Sequence, residues 1–243
     1  MPQKIIFFDT ETTGNTPNDF LCQLAYKSGE ESFVSLYKPP VRIPPEASAV
    51  NHITNKMVED KPYFRESAEF SQIKKMFESP GSMVVAHNAV FDLMILEKEG
   101  ITPKNFICTL RVARHLDPEE KLSKYNLQYL RYALGIEVDA RAHDAGGDVL
   151  VLEKLYERLK KKMEEKYALS PARALEKMTE ISSRPSVLRS MGFGKYKGMK
   201  MEEVLETDRP YLEWLLGEKE KEDGKSGMEE DLVFTLRHFL KKE

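Results

Sequence analysis

Two cysteines, one tryptophan and no long apolar run occur in this 243-residue chain. Cys22 and Cys108 lie far apart, each in an apolar, strand-like stretch. Two thiols cannot build a disulfide framework or a zinc site, so the expectation is two ordinary buried residues of a reducing compartment. No apolar stretch approaches the ~18 residues that a membrane span needs. The chain enters strand-like sequence within four residues, which leaves no room for a secretory leader. A cytoplasmic protein with no membrane partner is expected. An excess of positive charge is also missing: 37 Lys and Arg face 40 Asp and Glu, a formal charge of −3. A sequence-blind coat for nucleic acid needs a basic face. With this composition, any grip on nucleic acid must be on a short stretch or an end, with metal ions offsetting phosphate charge locally.

The chain does have enough apolar material, 41%, for a core of one large domain or slightly more. Ile5–Phe8 is wholly apolar, the pattern of a strand buried on both faces. Leu21–Tyr26 and Ser32–Tyr37 flank the turn residues 27–30 and read as an antiparallel meander. Short helices are expected over Glu46–Asn51 and, from the spacing of Phe70, Ile73, Met76 and Phe77, over Glu66–Glu78. Met83–Ala86 and Phe106–Cys108 read as further strands, with a helix over Ala89–Glu99 stopped by Gly100. Helices follow near Thr109–Leu116, Asn126–Leu134 and Asp144–Lys162. This order describes an α/β sandwich around a mixed sheet. Residues 1–165 form the expected main domain, and 166–186, with a helix from Pro171 to Ile181, a helical linker. Residues 187–243 form a smaller unit that should dock on the first because its own core is small. Within it a helix around Tyr211–Leu216 places Tyr211 and Trp214 beside Leu215 as core candidates. A charged loop over 217–227 and a terminal helix near 228–242 complete the unit.

Chemistry is concentrated in five residues. Asp9 and Glu11 are two apart and share one side of a strand, so both project from the end of the first strand, although acids also suit a solvated strand end. Asp92 sits in an otherwise apolar helix, where an uncompensated carboxylate is costly; the helix start is an alternative home for it. His143 and Asp148 are too far apart in phase to share a helical face. His143 therefore belongs before the helix and Asp148 on its inner side, with Asp144 a rival. Gly146 and Gly147 allow close approach to a neighbouring element. Four acids brought together repel one another unless cations lie among them. Hard divalent ions with oxygen ligands meet that need and break phosphodiester bonds.

Phe-Asp-Thr-Glu-Thr-Thr-Gly (8–14), His-Asn-Ala-Val-Phe-Asp (87–92) and His-x-x-x-x-Asp (143–148) resemble, in this order, the three exonuclease motifs of the DEDD superfamily. The last spacing is that of its histidine subclass. Segments 107–116, 181–188, 193–198 and 211–216 are similar to the bacterial exodeoxyribonuclease X family, its small C-terminal domain included. The resemblance implies a ribonuclease H-like mixed five-stranded sheet flanked by helices, plus a small C-terminal α+β domain. It implies 3′→5′ hydrolysis of DNA from single- or double-stranded 3′ ends, releasing nucleoside 5′-monophosphates. Two divalent cations, Mg²⁺ or Mn²⁺, would be held by Asp9, Glu11, Asp92 and Asp148, with His143 as general base.

Thr12, Thr13, Asn51, His52, Asn88 and Phe91 are candidates for contacting the terminal nucleotide; Phe91 equally suits a core. The family tends to carry His where this chain has Asn51, with His52 one place later. Lys195, Tyr196, Lys197 and Lys200 are candidate DNA contacts, or a solvated basic turn. Rival readings are an RNA 3′ exonuclease of the ribonuclease T or oligoribonuclease kind and a polymerase-associated proofreading subunit. Protein partners are not legible in the sequence.

Overall fold

The computed structural model describes residues 4–138, 145–221 and 227–241. Three strands come first: β1 (Lys4–Thr12), β2 (Leu21–Ser28) and β3 (Glu31–Leu36). Helices α1 (Pro45–Asn51), α2 (Asn55–Val58) and α3 (Phe70–Phe77) lead to β4 (Ser82–Ala86), α4 (Ala89–Lys98) and β5 (Phe106–Cys108). Then follow α5 (Thr109–Leu116), α6 (Leu127–Ala133), α7 (Ala145–Tyr167), α8 (Pro171–Ser182), α9 (Met201–Lys221) and α10 (Gly227–Leu240). The sheet order is β3-β2-β1-β4-β5, with the first three strands antiparallel and β1, β4 and β5 parallel. This is the mixed five-stranded α/β architecture that the sequence pattern implies.

β1 is the central strand, and its alternation feeds two cores. Ile6 and Phe8 join α3 and α4 through Ile73, Phe77, Ile95 and Leu96. Phe7 points the other way, into the cluster of Val149, Leu152 and Tyr156 on α7. The ring contacts Phe8–Phe77 and Phe7–Tyr156, at 5.4 and 5.3 Å between centroids, are edge-on, the geometry that aromatic quadrupoles favour.

Several elements differ from the sequence pattern. β1 continues four residues past Phe8, so Asp9 and Glu11 lie inside the strand and not at its exposed end. The expected helix over Glu66–Glu78 divides into a 3-10 turn at Phe64–Glu66 and α3. Ala174 and Met178 of α8 are buried in the α7 cluster, so this helix is part of the first unit's core. α9 is far longer than the expected Tyr211–Leu216 helix and is kinked at Asp208 (φ −152°, ψ 65°). There the Asp208 carboxylate accepts from the Tyr211 N–H at 3.1 Å and caps the second half, whose start also tolerates Pro210. That second half buries Leu212, Leu215 and Leu216 but leaves Trp214 58% exposed, so Trp214 is not core. Part of the expected 217–227 loop is helical; residues 222–226 lie outside the described residues. β structure in the described C-terminal unit is a single isolated bridge, Ser190 to Lys200.

The C-terminal unit has a cluster of its own, including Met191, Met201, Val204, Leu212, Leu232 and Leu236. It is fastened to the first unit by buried charge. Arg111 on α5, 3% exposed at its side chain, pairs with Asp231 at 3.1 Å and Glu230 at 2.6 Å. Arg114 reaches the other oxygen of Asp231 at 2.6 Å. Asp231 also accepts from the Ser186 N–H, and Arg111 donates to the Ser182 carbonyl. Burial raises the Asp231 carboxyl against the pull of its bonds to Ser186 and the two arginines. Arg111 stays charged, held by Asp231 and Glu230 in spite of its burial. Removing one partner of a buried pair strands the other charge. Asp231→Ala should therefore lower unfolding free energy by about 3–5 kcal/mol. Adding Arg111→Met to it should restore part of the loss. Urea titration checks both, and a single-variant loss below about 1 kcal/mol, the scale of an exposed pair, would contradict the assignment.

Candidate active site

Strand alternation places the acids. Asp9 and Glu11 follow Phe7 on the α7 side of β1, while Thr10 and Thr12 follow Phe8 on the α4 side. A register shift between Glu11 and Thr12 breaks the ladder with β2, so that Glu11 opposes Gln23 and Thr12 opposes Leu21. Bulges of this kind re-aim side chains at strand ends. Gln23, level with Glu11, accepts at 3.3 Å from the Ala145 N–H at the start of α7. That bond brings the first turn of α7, and with it Asp148, against the acids of β1. Ala145 and Gly147 are buried there, small enough for close approach.

Asp9, Glu11 and Asp148 consequently each offer a ligand atom within 4.8 Å of the others. Asp148 is buried and receives a hydrogen bond from the Gln128 amide of α6. The Gln128 Oε1 is buried and finds no hydrogen-bond partner among the described residues. Asp92 is not in this group of three. It reaches β1 from the opposite face, where its Oδ1 accepts from the Thr10 N–H at 3.1 Å and the Thr10 hydroxyl at 2.7 Å. Asp92 is only 4% exposed, and burial pushes its carboxyl up to about 7 although both Thr10 bonds favour the ionised form. The four acids thus enclose one strand segment, three from one side and one from the other. His143 and its rival Asp144 lie outside the described residues.

The residues expected to meet a terminal nucleotide turn mostly inward. Thr12 donates to the Gly14 carbonyl. Thr13 donates to Asp19 at 2.8 Å and accepts from the Phe20 N–H at 3.0 Å. A Cβ on Gly14 would lie 2.6 Å from the Asp19 carboxylate and would push it off its bonds to Thr13 and Thr16. Asn51, 6% exposed, donates to the Thr12 carbonyl at 3.0 Å and accepts from the Ile53 N–H at 3.0 Å. These bonds make Thr12, Thr13 and Asn51 the scaffold of the β1 end. His52 is exposed with a left-handed backbone (φ 61°), as is usual at a helix C-terminus. Asn88 is also left-handed (φ 63°) and leads into α4, and Phe91 is half-buried against the α3–α4 core. In the C-terminal unit Lys195 pairs with Asp208 at 2.7 Å and Lys200 with Glu120 at 2.6 Å. Tyr196 donates to Asp208, and Lys197 is exposed.

Sequence reasoning missed Thr10, Gln23 and Gln128, neutral residues whose types carry no catalytic signature. It also gave no role to His87. This ring lies 2.7 Å from the Tyr125 carbonyl through Nε2 and 2.9 Å from the Thr109 hydroxyl through Nδ1. A carbonyl only accepts, so Nε2 carries the proton. Burial lowers the ring to about 4, against the Tyr125 bond. His87 is a neutral strut between β4 and α5. Burial also pushes Cys22 up to about 12, which leaves it an inert thiol.

Comparison with known proteins gives the family and the fold. The model of the exonuclease family matches residues 6–156, and that of the exodeoxyribonuclease X-like C-terminal domain matches residues 191–220. The chain belongs to the exonuclease family. Among curated proteins it is 30% identical to exodeoxyribonuclease 10 of Escherichia coli K12 over 207 residues, 84% of this chain and 83% of that one. It is 33% identical over 163 residues to DNA polymerase III subunit epsilon of Treponema pallidum, covering 61% of this chain and 73% of that one. Among solved structures, exonuclease X in complex with 5′ overhanging duplex DNA superposes with a TM-score of 0.57 at 26% identity. That match covers 73% of this chain and 99% of the other. E. coli exonuclease I with a dT13 oligonucleotide shares the fold, at a TM-score of 0.57 and 21% identity over 68% of this chain and 43% of that one.

The raised Asp92 carboxyl gives a pH dependence. Unfolded, it ionises near pH 4; folded and metal-free, near 7. Its contribution to stability is complete below about pH 4 and is lost as pH rises to about 7, by up to about 4 kcal/mol. Asp92→Asn keeps an acceptor for Thr10 and removes the ionisation. In EDTA it should stabilise the protein at pH 8 by about 1–4 kcal/mol and have little effect at pH 4.5. Unfolding free energies of the two proteins that run parallel across this range would refute the placement.

Proposed function

We propose that this protein is a divalent-cation-dependent 3′→5′ exodeoxyribonuclease that releases nucleoside 5′-monophosphates from DNA 3′ ends. The observation that carries the reading is the convergence of Asp9, Glu11 and Asp148 within 4.8 Å, beside a buried Asp92, in a chain of the exonuclease family. The names of the relatives support DNA as the substrate. Carboxylate oxygens are the donors that Mg²⁺ and Mn²⁺ prefer, and three such residues so close fit hard divalent ions. When bound, such ions supply charge neutralisation at the phosphate and ease deprotonation of the attacking water.

The chain's own residues do the rest. Asp9, Glu11 and Asp148 are assigned as cation ligands, with Asp92 joining through its carboxylate while Thr10 fixes its Oδ1. Gln128 orients Asp148 by donating to it, and Gln23 sets the distance between β1 and α7 through Ala145. His143, whose intrinsic pKa lies near 6.5, is assigned from its sequence position to accept the proton of the attacking water. The shoulder made by Thr12, Thr13 and Asn51 keeps the end of β1 rigid, with His52, Asn88 and Phe91 assigned to contact the terminal nucleotide.

End-labelled DNA and RNA, each incubated with Mg²⁺ or EDTA, test the reading. Stepwise shortening of DNA from the 3′ end with Mg²⁺ alone is expected; RNA cleavage in place of DNA would move the protein to the RNA exonucleases. Asp9→Ala should abolish cleavage and leave the fold intact or more stable, since it relieves carboxylate repulsion. Residual turnover near the wild-type level would rule out the cation scheme. His143→Ala should reduce turnover by roughly 10²–10⁴-fold with cation affinity preserved, the usual scale for a general base. Lost cation affinity in that variant would make His143 a ligand.

A further inference from the structure

We infer that a basic cleft between α5, α8, the end of α7 and the 184–189 connection binds the phosphodiester backbone of the nucleic acid away from the bond being cleaved. This rests on the exonuclease reading and extends it to a second contact site.

The cleft has a volume of about 470 Å³, and cations dominate its lining. Some of that charge is already committed. Arg111 and Arg114 are matched by Asp231 and Glu230, and Lys177 by Glu180 at 3.0 Å. His115 is bonded to the Tyr167 hydroxyl and is lowered by burial and then by Lys166 and Lys177, so it adds no charge at neutral pH. Lys166, Arg184 and Arg189 remain. All three are exposed, and none makes an ion pair among the described residues. Glu180, the one acid in the lining, is engaged by Lys177. Three exposed cations without an ion pair among the described residues, Lys166 over the Tyr167 ring and Arg184 toward Glu180, are a local reversal of sign in a chain of formal charge −3, and this suits a row of phosphates.

Membership of the exonuclease family favours nucleic acid over a small anion. Arg111 lines this cleft and also a larger one, about 1040 Å³, on its other side. The larger cleft is walled by Val90, Leu93 and Met94 of α4, the helix that carries Asp92, and by Phe20 and Phe106. Arg111 thus forms the wall shared by the two clefts, with Ser183 on one side and Arg184 on the other. Lys166 lies 18 residues beyond Asp148 on α7, about 27 Å along a helix. At ~3.4 Å per nucleotide of a B-form strand, that is about eight nucleotides. Long substrates reach the cleft and very short ones do not.

The test uses the full-length protein and the triple variant Lys166→Ala, Arg184→Ala, Arg189→Ala. Binding of a fluorescent 20-base-pair duplex in EDTA is measured across a salt series, and hydrolysis of a tetranucleotide with Mg²⁺ in parallel. The variant should bind the duplex at least tenfold more weakly at about 0.1 M salt. Its slope of log affinity against log salt should fall by about 2–3, roughly one per lost phosphate contact. Tetranucleotide KM and kcat should match wild type, while KM for a 20-nucleotide strand rises with kcat unchanged. Unaltered duplex affinity and salt slope would overturn the proposal, as would an equal loss of tetranucleotide hydrolysis. Competition by millimolar inorganic pyrophosphate that the variant no longer shows, with duplex affinity unaltered, would assign the cleft to a small anion and also overturn it. If wild type cleaves neither the tetranucleotide nor the 20-nucleotide strand, the exonuclease reading falls, and the binding series still decides the cleft.

Discussion

A carboxylate held away from water without a compensating cation is costly, and most of this fold is arranged around several of them. β1 has core on both faces, yet it carries Asp9 and Glu11 before it ends. Alternation settles the conflict only in part, because the residue between them, Thr10, faces a third acid, Asp92. What distinguishes Asp92 from Asp231, another buried acid, is the nature of its partners. Asp231 is met by two guanidinium groups and serves as a fastening. Asp92 is met by a hydroxyl and a backbone N–H of Thr10, which orient it without neutralising it. Neutral donors around an acid leave its negative potential available to a cation, whereas arginines would cancel it.

The same logic explains why the site needs a bulge and two glutamines. A regular ladder would carry Thr12 on in register with β2; the shift after Glu11 frees the strand end to turn into the Thr13–Asp19 loop. Lys98 of α4 then donates to the Pro17 and Asp19 carbonyls and covers the Phe20 ring at 4.2 Å, tying that loop to the helix of Asp92. Gln23 and Gln128 perform the matching task on the α7 side. Asp92 and Asp148 thus each accept from a neutral donor, Thr10 and Gln128.

Much of this was legible in residue order, and the remainder was hidden for physical reasons. The sheet could be read because apolar runs such as Ile5–Phe8 and Met83–Ala86 have few alternatives in a chain this long. The i, i+2 relation of Asp9 and Glu11 follows from the strand period alone. The separate approach of Asp92 was not legible, since a helix pattern does not reveal which face of a sheet it covers. Thr12, Thr13 and Asn51 look like substrate contacts in one dimension because hydroxyls and amides serve backbones and ligands equally well. The bonds to Gly14, Asp19 and Ile53 show that each also holds the backbone around it. Trp214 misleads for another reason: residues 211, 214 and 215 share one helical stripe and 212, 215 and 216 the adjacent one, and the second is the one buried. Arg111 and Asp231, 120 residues apart, form a contact that no local pattern announces.

That contact has a further consequence for how charge is distributed over the molecule. A chain with more acids than bases must segregate its charge to attract a polyanion at all, and two kinds of segregation are visible. At the end of the central strand, the acids Asp9, Glu11 and Asp148 are gathered. Around α5 and α8, cations are gathered, and the acids that would cancel them are few and already engaged. Asp231 fixes the C-terminal unit by consuming Arg111 and Arg114, so the basic surface beyond them depends on residues from three different segments, Lys166, Arg184 and Arg189. Docking and charge segregation are thereby linked, because Ser186, which donates to Asp231, belongs to the same connection that carries Arg184 and Arg189. Loosening the buried pair would release that connection and disperse the cations, even though neither arginine of the pair faces the ligand as a free charge. The fastening therefore acts on the cleft through geometry, and its effect on binding should be separable from its effect on the acids of β1.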